Sequence, residues 1–146
     1  MKSSMTVCLG DYTPAKRRYI RSQGWSCVFL YGHDQQIRLG ETGDIVRRSR
    51  SISRENGEPS IHFVWWTPGR PVAWRVIGET RLAIAGSYRR DTCSYEMPCT
   101  EIEETIRKVS AKTFPTLSFF DHLEMVKVLR RMNLNKGDSR RDGTQT

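Results

Sequence analysis

The chain is short of several things, and each shortage narrows what it can be. No run among its 146 residues approaches the roughly 18 consecutive apolar positions that a membrane-spanning helix needs. The opening "MKSSMTVCLGDYTPAKRR" lacks the long apolar core of a secretory signal, so a soluble, intracellular (cytoplasmic) setting is expected. Cys8, Cys27, Cys93 and Cys99 form no CxxC pair, and the step from Cys93 to Cys99 fits no common zinc pattern. His33, His62 and His122 are scattered, so reduced buried thiols are expected rather than a structural metal. No basic segment carries a strong apolar face, which argues against a membrane partner. Repeats and low-complexity linkers are missing too, and a single domain of this length can bury a core without staples.

Acidic residues are the other scarcity. Sixteen Asp and Glu face 24 Lys and Arg, a formal net charge of +8. Such an excess favours an anionic partner, with nucleic acid, DNA first, as the leading class. A merely solubilising surface is the duller explanation. The bias is concentrated in Lys16, Arg17, Arg18 and Arg21, then from Arg47 to Arg54, and later at Arg89 and Arg90.

What is present reads as alternating strands and helices. "TPAKRRYIRSQ" (13–23) has an N-cap threonine and a first-turn proline, which predicts a short basic helix ended by Gly24. "WSCVFLYG" (25–32) and "QIRLGE" (36–41) are the arms of an antiparallel hairpin. Thr42 or Asp44 caps a helix over 43–54, and "IHFVWWT" (61–67) is a third strand whose apolar run suits a central place. Helices follow at 71–85, 99–112 and 115–134, with 87–98 irregular between the first two. The expected fold is therefore α/β: a small central antiparallel three-stranded sheet flanked by helices, with a C-terminal helix. Along the chain this gives a basic lead-in (1–24), a core (25–112), the C-terminal helix (113–134) and a polar, disordered tail (135–146), all one domain.

The order hairpin, arginine-bearing helix, strand, glutamate-bearing helix resembles the GIY-YIG nuclease superfamily. The phage- and bacteria-associated branch of short stand-alone domains looks closest. "CVFLY" (27–31) sits where that family has its first motif and "RLG" (38–40) where it has the second. "GDIVRRSRSI" (43–52) is similar to its following helix, and "GETRLAIAGSYRR" (78–90) to its later one. The resemblance implies a Mg²⁺-dependent DNA endonuclease, with Arg48 as catalytic arginine, Arg47 as the neighbouring candidate, and Glu79 as metal ligand. The chain departs from that pattern at Phe29 and Arg38, where the family has tyrosines, and at Ile52, where it has a histidine. Tyr31, on the same strand face as Phe29, and His33 in the turn beyond remain as catalytic bases.

Each candidate also has a plainer reading. Guanidinium forks at a helix start suit phosphate, yet Arg48 turns about 100° away from the face that Arg47 and Arg50 share, so the three cannot meet one phosphate. Arg38 adds fixed charge to the presumed working face, which favours binding and removes chemistry. Tyr88, Arg89 and Arg90 either extend a basic groove or simply cap a helix end favourably. Glu79 either holds metal or pairs with Arg75 one helical turn earlier. Gly78, costing about 1 kcal/mol inside a helix, suggests close approach by another element. Three functions stay open: nuclease, catalytically inactive DNA-binding module, or a phage-type inhibitor protein that turns its basic surface to an acidic protein partner.

Overall fold

The computed structural model describes residues 7–33, 35–56 and 61–132. Its centre is β1 (Ser26–His33), paired antiparallel on one edge with β2 (Gln36–Thr42) and on the other with β3 (Ile61–Thr67). Cys27, Val28, Phe29 and Leu30 are all fully buried, so consecutive side chains enter two separate apolar layers. Val28 and Leu30 join Leu39 and Trp65 beneath α3 (Arg70–Ala83) and α4 (Cys99–Thr113). Phe29, Val64 and Trp66 form the opposite layer beneath α1 (Pro14–Ser22), α2 (Ile45–Asn56) and α5 (His122–Arg131). Helices on both faces explain why β1 and β3 read as apolar runs rather than as clean alternation. Both tryptophans, Trp65 and Trp66, are core residues. Among the described residues no helix is long and apolar enough to cross a membrane.

The expected α/β class stands, but among the described residues the three-stranded sheet is corrected to six antiparallel strands in the order β4-β5-β2-β1-β3-β6. The additional strands are β4 (Tyr88–Arg89), β5 (Ser94–Glu96) and β6 (Phe120–Asp121). Strands of two or three residues are too short to show an alternating pattern. The β4–β5 turn places Cys93 at a φ of 53°, a left-handed conformation that no glycine or asparagine announces. The last helix begins at His122 rather than at 115, because Phe120 and Asp121 first pair with β3. Asp121 and Glu124 then form a reciprocal capping box. The tail expected at 135–146 lies outside the described residues.

A largely buried polar chain joins the first described segment to the last helix and β3. The Trp66 indole N–H donates to the Tyr12 hydroxyl at 3.0 Å, and that hydroxyl meets His122 Nδ1 at 2.9 Å. The other ring nitrogen of His122, Nε2, faces Asp11 Oδ2 at 3.1 Å. Burial, despite the indole hydrogen bond, pushes the Tyr12 phenol far above its ordinary range.

Opposed pairs across β1 and β2 share a face, which puts Tyr31 beside Arg38 and Phe29 beside Gly40. A Cβ on Gly40 would lie 2.5 Å from the Phe29 para-carbon, so a side chain there requires the ring to shift. Gly40→Ala should destabilise the fold by about 1–3 kcal/mol through overpacking, read by urea unfolding. Adding Phe29→Leu should recover part of that loss; unchanged stability of Gly40→Ala would show that the ring is free to move.

Candidate nucleic-acid interface

Where β2 runs beyond its short pairing with β5, an open cleft of about 950 Å³ forms. Tyr31 and Arg38 line one wall from the β1–β2 pair, and Arg81 at the end of α3 lines another. The β4–β5 hairpin closes it with Tyr88, Thr92, Cys93 and Tyr95. Each piece has a local cause. Strand alternation sends Arg38 away from the layer that receives Ile37 and Leu39. The left-handed turn at Cys93 folds the hairpin back, so Tyr95 packs in the core while the Tyr88 ring tilts over it at 5.1 Å and stays exposed.

The cleft is cationic and aromatic. One Arg38 N–H donates to the Thr92 carbonyl at 2.9 Å, which fixes the fork, and among the described residues this is its one hydrogen bond. Burial pushes the Tyr95 phenol up, and the adjacent Arg81 guanidinium pulls it back. Asp91 is the acid in the lining. Guanidinium groups among aromatic rings suit a ligand that is both anionic and flat.

The structure gathers some of the candidates and separates others. Tyr31 and Arg38 meet in the cleft. Phe29 is fully buried, stacked on Tyr31 at 5.4 Å with its para-carbon against Gly40, so position 29 presents nothing to solvent. His33 is exposed at the hairpin end and does not line the cleft. Arg48, on α2, is half-buried and donates to Ser51 at 3.4 Å, whereas Arg47 and Arg50 are exposed. Asp44 caps α2 through the Arg47 amide and receives a two-pronged bond from Arg17. Burial raises that carboxyl, but the Arg17, Arg47 and Arg21 contacts outweigh it and hold the group below its ordinary range. Arg89 pairs with Glu96 at 2.6 Å, both exposed, and the exposed Arg90 also lies outside the cleft lining.

Glu79 sits apart. Its helix covers the layer opposite α2, so the sheet stands between the helices that carry Glu79 and Arg48. On α3 itself, Arg81 is two residues from Glu79, about 200° around the axis, so the residue that faces the cleft and Glu79 occupy opposite flanks. Its carboxylate takes an Arg75 N–H at 3.3 Å, as the plainer reading had it. Among the described residues no three His, Cys, Asp or Glu come together as a metal-holding group. Sequence reasoning missed Arg81 and Tyr95, which carry no signal without the unforeseen hairpin.

No family model matches this chain, and no curated protein or solved structure matches it either.

The close approach expected at Gly78 is corrected. A Cβ there would meet nothing within 4 Å, because Gly78 lies on the outward face of α3. Gly78→Ala should therefore stabilise the protein by up to about 1 kcal/mol, a rise in melting temperature readable by circular dichroism. A fall would reveal a contact that only glycine permits.

Proposed function

We propose that the chain binds nucleic acid, single-stranded DNA in the first instance, in the cleft at the open edge of β2, and binds it without cutting. One observation carries the reading: two arginines from different elements, Arg38 and Arg81, converge with the Tyr31 and Tyr88 rings in one open cleft. Guanidinium forks match phosphate oxygens, and the rings offer faces to unpaired bases. The +8 net charge supports it, since a cationic surface draws nucleic acid in and releases counterions on contact. Binding rather than cleavage is favoured because Glu79, the carboxylate the GIY-YIG resemblance would assign to Mg²⁺, lies on the far flank of α3 and pairs with Arg75. Tyr31 and Arg38 would then position a strand, with no base or metal required.

Fluorescence anisotropy with labelled oligonucleotides across a salt series tests this. Arg38→Ala and Arg81→Ala should each weaken binding and flatten the log–log salt slope by about 0.7, the increment for one single-strand phosphate. Tyr88→Ala should lower affinity about tenfold or more without changing the slope. Wild-type binding by both arginine variants would overturn the cleft assignment. Mg²⁺-dependent cutting abolished by Glu79→Gln would replace the binding reading with the nuclease one.

A further inference from the structure

A second cleft, of about 440 Å³, opens at the other end of β2. There Glu41 and Thr42 meet Trp25 and Ser26 at the start of β1 and Arg70 at the start of α3. The Glu41 side chain is only 6% exposed, although its cationic neighbours are largely in solvent, Arg70 at 72% and Arg21 at 55%. One Glu41 oxygen accepts the buried Ser26 hydroxyl, and the other faces Arg70 Nε at 3.5 Å. Removing a carboxylate from water costs several kcal/mol unless it is well partnered, while an exposed arginine bridge returns only about 0–1 kcal/mol. Among the described residues the partners of Glu41 are a neutral hydroxyl and a solvent-facing guanidinium, thin support for a purely architectural role. Trp25 also lines this cleft, its half-buried ring edge-on to Tyr19 at 6.1 Å and tilted against Phe120 at 6.0 Å on the α1 side of the sheet.

That set of groups defines its ligand chemically. An acceptor-only carboxylate wants a pair of adjacent donors, the indole wants a flat ring, and Arg21 and Arg70 want a phosphate, though Arg21 also reaches Asp44 at 3.2 Å. Guanine is the nucleobase whose base-pairing edge offers two neighbouring N–H donors, at N1 and at the 2-amino group. Adenine and cytosine set one amino donor beside an acceptor, and uracil and thymine set one N–H between two carbonyls. We infer that this cleft is a guanine-nucleotide pocket, with Glu41 taking the two base donors, Trp25 stacking, and Arg21 and Arg70 holding the phosphate. The inference rests on the nucleic-acid reading above and refines it: an unpaired guanine is what a strand bound along β2 would present here. Arg38 and Glu41 are three residues apart, about 10 Å on an extended strand. Among the described residues β5 pairs with β2 only at Gln36 and Ile37, so the edge from Arg38 to Thr42 runs open between the two clefts.

Calorimetry with guanosine, inosine and adenosine 5′-monophosphates tests the pocket on the wild-type chain. Inosine lacks only the 2-amino donor. The guanosine nucleotide should bind about tenfold or more tightly than either of the others. Glu41→Gln should erase that preference, and Arg70→Ala should weaken all three alike. Equal affinities on the wild-type protein would overturn the inference whether or not Glu41→Gln folds. A second arm compares oligothymidylate with the same oligonucleotide carrying one guanosine, and tighter binding of the latter is expected. A preference among mononucleotides that is missing among oligonucleotides upholds the pocket and makes its ligand a free guanine nucleotide. Salt-dependent but indifferent binding of both oligonucleotides, with no mononucleotide preference, sinks the guanine pocket and leaves the Arg38 cleft standing. Failure of both oligonucleotides to bind, with no preference among the mononucleotides, sinks both.

Discussion

Burial of β1 on both faces is the constraint from which the rest follows. Four consecutive side chains, Cys27 to Leu30, have no solvent exposure. Each must therefore enter an apolar layer above or below the sheet, and at about 25 cal/mol per Å² of apolar surface removed from water this dominates the local energetics. Two layers need two sets of helices. Among the described residues, each of the five α-helices adds buried residues to one or the other, including α1 and α5 at either end. The Trp66–Tyr12–His122–Asp11 chain then fixes those ends to the sheet through partners that would be costly to leave unpaired.

The same alternation distributes the polar residues. Along β2, Arg38 and Gly40 face the α2 side, while Ile37 and Leu39 join the layer under α3. Glu41, in step with Leu39, comes to lie beside Arg70 at the start of α3. Two clefts of different chemistry thus flank one strand. The cleft with Arg38 and Arg81 is cationic and aromatic; the one with Glu41 adds a buried acceptor. Glu79 is excluded from the first by helix geometry, because two residues along α3 carry a side chain to the opposite flank.

Much of this was legible in the sequence. β1, β2 and β3 came within a residue of their expected bounds because glycines and turn residues frame β-branched and aromatic runs. The N-terminus of α4 was equally plain, with Glu101 in its first turn. The short strands β4, β5 and β6 were not, since three or fewer residues carry no periodicity and their register depends on what they pack against. That omission hid the hairpin, and with it Arg81 and Tyr95 as neighbours of Arg38. Gly78 misled for a related reason: a glycine in a helix signals close packing only if its face is known, and its face is outward. Strand alternation alone set Tyr31 on the face of Phe29, and the hairpin register places it opposite Arg38.

The arginines of α2 and the cleft at β2 are rival places for the strand we propose the chain binds, and they lie on different elements. Backbone amide chemical-shift mapping, with oligothymidylate titrated into the isotope-labelled protein, separates them most directly. The account predicts that the largest changes fall on Tyr31, Arg38, Tyr88 and Thr92, around the open edge of β2. Changes confined to Arg47, Arg48 and Arg50, with those four amides still, would contradict it.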